Sequence, residues 1–368
     1  MAQFLLLHLK TFTMQIFKSR FFLLMFMLAI FFGACTSTTS LQVLKPAEIT
    51  LEENIINVGV INRTYPTKDN KAWNIIEGVL TGEGIGTDRR GSEATVDGMI
   101  DVMSRSPRFK LMRLDIDMLK GSGTGQFPEP MTRAKINEVC QRNNLDALIA
   151  LEAFDSDSRV NFVPITIRTK VSKDVFKDMP GIRADSRMNI TVGWRIYNNR
   201  SEVISDEFRY TDFLAFTGQG FTQNEALANL PSKYDALFQT GFHTGQRYGR
   251  RITPLWVTES RQYYTKGSDE LKKAGRRVKV NKWEEAAEIW KKEALNKEKK
   301  IAGRACYNMA VFCETRGNFD VALEWSKKAY TDFGNKKARS YTALINRRVR
   351  DRQLLQQQMA PVNKQEGE

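Results

Sequence analysis

The sequence predicts an α+β protein: an N-terminal mixed α/β sandwich over residues 41–265, then an all-α array of paired helices over 266–358. Three observations carry this. Up to about residue 265, short apolar runs rich in β-branched and aromatic residues alternate with stretches of helical period. Beyond it the apolar residues recur only at helical spacing, and one pattern returns after 36 residues. The charge changes near the same point. Residues 35–246 hold 25 Lys+Arg against 27 Asp+Glu, and residues 247–368 hold 28 against 15. A near-neutral segment is therefore followed by a strongly basic one.

Taken in order, Asn57–Arg63 is a short apolar run bounded by Asn, which reads as a buried strand. Ser92–Met103 places Ala94, Val96, Met99, Ile100 and Met103 at helical spacing, and Pro107 stops it. Phe109–Leu114 reads as a strand. Thr132 is positioned to cap a helix running through Arg142, with Ile136, Val139 and Cys140 on one face. Leu145–Phe154 reads as a second buried strand. Two helix-then-strand units in succession argue for an α/β layer. A meander follows, with strands at Phe162–Val171, Met188–Tyr197 and Val203–Leu214, and a tight hairpin at Asn198-Asn199. One long helix is predicted from Thr222 to Tyr248, and a closing strand from Pro254 to Tyr264.

The N-terminus reads as an export signal. Lys18 and Arg20 precede a twelve-residue apolar run, Phe21–Phe32, and small residues lead to Cys35. A membrane-spanning helix needs roughly 17–25 apolar residues, so the run is short for a span and normal for a signal peptide. A cysteine at the cut site resembles the bacterial lipoprotein box, although Phe32 and Gly33 stand where Leu and Ser or Ala are usual. The resemblance implies a signal over 1–34, lipidation at Cys35 and a polar tether over 35–40. Two or three acyl chains anchor stably where one does not. An uncleaved signal anchor is the alternative. Met14 is a second candidate start, giving a signal of conventional length, and residues 359–368 read as a disordered tail.

In the C-terminal segment, Arg304–Tyr330 resembles a tetratricopeptide repeat, with Ala310 at the close helix contact, Gly317-Asn318 at the turn and Phe319, Ala322 and Ala329 on the second helix. Trp283–Trp290 repeats that second helix, with Ala286 in the place of Ala322. The first helix of this earlier repeat spans Ser268–Val280, and a final helix spans Lys336–Gln357. In such repeats the first helix lines a groove, and here that face carries Arg304, Tyr307, Asn308 and Val311. Arg beside Asn suits a carboxylate on a protein partner; packing on the protein's own chain is the alternative for all four.

The mature chain is similar to a Bacteroidota lipoprotein family of unknown function, with an N-terminal α/β domain and C-terminal tetratricopeptide repeats. Ile55–Arg63, Glu77–Gly91 and Trp256–Trp290 carry that likeness. It implies an outer-membrane lipoprotein facing the periplasm, since Thr36–Ser40 lacks the acidic cluster associated with surface export. More distantly, the first domain resembles the α/β domain of periplasmic assembly lipoproteins of the curli-secretion type.

Catalytic signatures are few. His243 is the one histidine after the signal region, which excludes His-cluster metal sites, and the chain has no Gly-x-Ser-x-Gly elbow and no Cys-x-x-Cys. Gly82-x-Gly84-x-Gly86 lacks the Lys-Ser/Thr of a phosphate loop and follows a predicted helix, Trp73–Leu80, so it reads as a loop before a helix. Asp115/Asp117 and Asp155/Asp157 each set two acids on one strand face, a pattern that can hold a divalent cation or work as acid and base. Cys140, Cys306 and Cys313 read as buried thiols, and Cys306 and Cys313, seven apart on a helix, are too distant to bridge. The expectation is a protein without catalytic activity or cofactor, held on the membrane by Cys35 and binding a protein partner rather than nucleic acid. An oligomeric envelope-assembly lipoprotein is the alternative, and an Asp-based metal enzyme the third reading.

Overall fold

The computed structural model describes residues 36–64, 87–115, 127–201 and 204–359. Cys35, the signal run, Met14, the Trp73–Leu80 helix, Gly82–Gly86, Asp117 and the tail from residue 360 lie outside them. By contacts the described residues form two compact units, 43–257 with 351–359, and 36–42 with 258–350. The architecture is α+β, a sheet-rich region followed by a helical array.

In the first unit, β2 (Asn57–Asn62) lies parallel to β3 (Lys110–Leu114) on one side and to the start of β4 (Ala147–Ser172) on the other. Strand β5 (Val175–Asn198) and β6 (Ile204–Gly220) continue the sheet antiparallel, giving the order β3-β2-β4-β5-β6. Helix α1 (Thr87–Met103) links β2 to β3, and α2 (Arg133–Asn143) links β3 to β4. The β2 sequence Val-Gly-Val-Ile is buried throughout, as a strand covered on both faces must be. On one face Val58, Val60, Met99, Trp194 and Tyr248 share a core with α1 and with α4 (Lys233–Ile252). On the other, Ile136, Val139 and Cys140 of α2 pack on Ile61, Leu148 and Ala150.

The strands depart from expectation in length. Leu145–Phe154 and Phe162–Val171 are parts of one 26-residue strand, because the intervening Asp-Ser-Asp-Ser stretch pairs with Met188–Thr191 and turns its acids to solvent. The predicted turn at Asn198-Asn199 is made differently: Asn198 ends β5 as strand, and its side-chain oxygen accepts from the Arg200 amide at 2.8 Å. The left-handed residue falls instead at Asp174 (φ 66°), between β4 and β5. The single helix predicted over Thr222–Tyr248 is two, α3 (Gln223–Ala228) and α4. Pro231 lacks an amide hydrogen, and Ser232 starts α4 by accepting from the Asp235 amide at 3.0 Å. Thr132 stands at the start of α2, yet its hydroxyl makes no capping bond.

A feature unread in the sequence joins α1 to α4. Gly241, Gly245 and Gly249 recur every fourth residue on α4, so they share a face. A Cβ built at Gly245 would lie 1.8 Å from the Thr95 carbonyl oxygen, and one at Gly98 would lie 2.0 Å from that of Phe242. Only glycine lets these two backbones come so close.

The second unit holds α5 (Asp269–Lys279), α6 (Trp283–Glu293), α7 (Lys299–Thr315), α8 (Phe319–Thr331) and most of α9 (Lys336–Gln358). Consecutive helices from α5 to α8 pack on one another. Two helix-turn-helix units repeat at 36 residues: Asn281 (φ 60°) and Gly317 (φ 73°) make equivalent left-handed turns, and Ala274/Ala310 and Ala286/Ala322 are fully buried pairs. The segment expected as a polar tether is different. Thr36–Lys45 forms β1, paired with β7 (Leu255–Tyr264), as its β-branched Thr residues favour.

Candidate functional site

Three places carry the polar chemistry. The first is the helix face expected to grip a partner. Tyr307, Asn308 and Val311 are buried, and Asn308 is fully so. Asn308 accepts from the Tyr264 amide at 2.7 Å and donates to the Tyr264 carbonyl at 2.8 Å. Tyr307 meets the Tyr264 ring edge-on at 5.3 Å, and Arg304 donates to the Lys266 carbonyl at 2.6 Å. Arg304, Tyr307 and Asn308 do come together, but on the end of the unit's own strand β7 and the residues after it, and Val311 lies in the same core. The reason is physical: a buried strand edge must satisfy its amide and carbonyl groups, and Asn308 supplies one donor and one acceptor. Below it Glu314, fully buried, takes two bonds from Arg261 at 2.8 Å each and one from the Tyr341 hydroxyl at 2.5 Å. Burial and the Glu314 carboxylate both hold the Tyr341 phenol well above its ordinary pKa.

The second place is the carboxyl end of β2, where an open α/β sheet commonly binds ligands. Glu152 is buried, with Arg63 Nη1 at 2.8 and 2.6 Å from its two oxygens and the Tyr197 hydroxyl at 2.5 Å. Asn62 donates to Ser92 Oγ and Glu93 Oε1 at 3.0 Å each, and Arg113 pairs with Glu93 and Asp97. Burial, then the Glu152 charge, raise the Tyr197 pKa. Glu152 is thus held by a cation and a phenol inside the fold.

The third place is the sheet face opposite α1 and α4. Here β4 presents Asp155, Asp157, Arg159 and Asn161; β5 presents Asp185, Arg187, Asn189 and Thr191; β6 presents Thr211, Phe213, Ala215 and Thr217. Those of β4 and β6 are exposed, and those of β5 are exposed or half-buried. Thr191 and Thr211 share a hydrogen bond at 2.8 Å, and Arg187 lies 3.6 Å over the Phe213 ring. Asp155 and Asp157 do share a face, as the spacing predicts, but as exposed members of this ladder, with Asp157 3.4 Å from Arg159. Asp115 is at the end of β3, and its predicted partner Asp117 is outside the described residues. Among the described residues no group of three or more His, Cys, Asp or Glu is placed to hold a metal ion. His243, half-exposed on α4, lies 3.7 Å from Asp212. Cys140, Cys306 and Cys313 are free and buried, and burial pushes the Cys140 and Cys306 thiols up to about 11.

The open sheet face was legible only in part. Alternation of polar residues along β4 and β5 marks a solvated face, but nothing local shows that three strands align to make it continuous.

Residues 55–264 match a family model described as a domain of unknown function, DUF8603. The chain belongs to the DUF8603 family. Its DUF8603 segment runs from just before β2 to the end of β7, and residues 272–351, from within α5 to within α9, match a second domain of unknown function, DUF6340. No curated protein matches the chain. The solved structure of the hypothetical protein CT253 from Chlamydia trachomatis aligns with 53% of this chain and 96% of its own, at 11% identity and a TM-score of 0.20. Among the described residues, no helix is long and apolar enough to cross a membrane.

Proposed function

We propose that this DUF8603 protein is a non-catalytic cell-envelope protein, lipid-anchored through Cys35 and facing the periplasm at the outer membrane, that holds a protein partner on the open face of its β4-β5-β6 sheet. The observation that carries this reading is the face itself: three strands of exposed or half-buried side chains, mostly of mixed charge or hydroxyl character, with no helix among the described residues over them. Its chemistry suits a polar partner surface with charges of both signs, and such interfaces gain rate and selectivity from charge matching. Two features argue against catalysis. Buried Glu152 and Glu314 are each held by arginine and tyrosine, and the Asp155/Asp157 pair stands in solvent.

The 36-residue repeat supports a tetratricopeptide-like reading of the helices, and the likeness to Bacteroidota lipoproteins supports the address. Arg304, Tyr307, Asn308 and Val311 serve in this reading to seat β7 rather than to recruit. The test is recovery of partners from native membranes with Arg159→Glu/Arg187→Glu against Arg304→Ala. Loss with the first and retention with the second is expected; retention with the first removes the sheet face from the argument.

Assembly with further copies is a second reading, favoured by one feature. Strand β2 covers β4 only along Ala147–Leu151, so beyond it the outer edge of β4 has no strand neighbour among the described residues. Light scattering of the 36–368 chain decides this one: a mass that rises with concentration is expected, and a monomer throughout contradicts it.

A further inference from the structure

The far end of the β4–β5 hairpin has a different chemistry from the face below it. Strand β6 ends at Gly220, opposite Ile182, so beyond Pro164 and Ile182 the hairpin continues as two strands alone. The ribbon runs from Ile165 to Gly181, eight residues of β4 or about 26 Å at 3.3 Å per residue. Two strands by themselves are marginally stable in water. This ribbon also carries apolar side chains to its tip: Val171 is 61% exposed, Val175 53% and Phe176 51%. Ile167 and Met179 pair across the strands just behind. Four cations are interleaved with them, Arg168, Lys170, Lys173 and Lys177, against two acids, Asp174 and Asp178. The Arg168 guanidinium lies 5.1 Å over the Phe176 ring.

We propose that this hairpin tip is a membrane contact, with Val171, Val175 and Phe176 entering the headgroup boundary of an anionic bilayer and Lys170, Lys173 and Lys177 reaching its phosphates. Apolar residues ringed by long cationic side chains are what an interfacial site requires: the apolar atoms leave water, and the flexible stems let the ammonium groups stay at the headgroup level. An anionic surface attracts the cations from a distance and orients the tip. A bilayer fits better than a protein pocket because Lys170, Lys173 and Lys177 are exposed on long flexible stems that can follow a fluid headgroup surface. The contact is independent of acylation at Cys35 and of what occupies the open sheet face.

The test places a reporter at the tip of the full chain. Phe176→Trp and, separately, Val175→Trp are mixed with vesicles of phosphatidylglycerol and phosphatidylcholine whose acyl chains are brominated, and emission is compared with the parent chain under the same conditions. Thr217→Trp on the open face is the control. The proposal expects quenching of the added tryptophan at 175 or 176, several-fold weaker in phosphatidylcholine alone. It expects little quenching at 217, and loss of the phosphatidylglycerol preference in Lys170→Gln/Lys173→Gln/Lys177→Gln. Vesicle-bound chain with no quenching at either tip position overturns it, as does equal quenching at 217, which marks adsorption of the whole chain.

Discussion

At Asn308 a single side-chain amide takes the place of a neighbouring strand: it closes both hydrogen bonds of the Tyr264 peptide inside a core where water cannot. Truncating it leaves a buried donor and a buried acceptor unmade, each at about 1–3 kcal/mol. Asn308→Ala therefore lowers stability by about 2–6 kcal/mol, read from the urea midpoint, whereas loss of an exposed groove residue would change stability by no more than about 0.5 kcal/mol. Protons are held by burial at several other residues. The Cys140 and Cys306 thiols are pushed up to about 11 and the Tyr307 phenol to about 12, and Tyr197, Tyr210, Tyr248 and Tyr341 are also raised. In the unfolded chain these groups ionise near 8.5 for Cys and 10 for Tyr. Between the unfolded and folded values the unfolded state binds fewer protons, so stability is full below about pH 8.5 and falls as pH rises beyond it. Urea midpoints at pH 7, 9 and 10.5 should step downward above pH 9; a flat series contradicts the burial of these groups.

The contact between α1 and α4 sets two effects against each other. Replacing a helix-interior glycine by alanine ordinarily gains about 1 kcal/mol from propensity. At Gly245 the new Cβ would fall on the Thr95 backbone, at 1.8 Å from its oxygen and 2.7 Å from its carbon. Backbone cannot swing aside, so the helices must separate, and overpacking of that kind costs about 1–3 kcal/mol or more. The clash wins, and Gly245→Ala should lower the melting temperature; a rise would mean the helices are further apart. The four-residue glycine spacing was visible in the sequence, but its meaning depends on which helix faces it, and α1 lies some 140 residues earlier in the chain. Where one segment decides its own fate, the sequence read well. Helices α5 to α9 follow from apolar period and small-residue positions, and α2 from Ile136, Val139 and Cys140. Strand length did not read well, because Asp155–Ser158 looks like a loop and becomes strand only through pairing with β5.

For the whole molecule, composition and pattern were enough to give a sheet-rich region followed by a basic helical array. They also placed Arg304, Tyr307, Asn308 and Val311 on one helix face. What stayed hidden was the occupant of that face, since β7 lies some 40 residues from Asn308 and only the fold brings them together. The same holds for the open sheet face, assembled from residues between Asp155 and Thr217 that share no motif. This face, and not the helix face filled by β7, is proposed to meet the partner. Site-specific photo-crosslinking in the native cell tests it most directly, with a photoreactive residue in place of Arg159, Thr217 or Arg304 in turn. A discrete crosslinked species is expected from positions 159 and 217 and none from 304; a species from 304 alone would overturn the assignment of the partner to the sheet face.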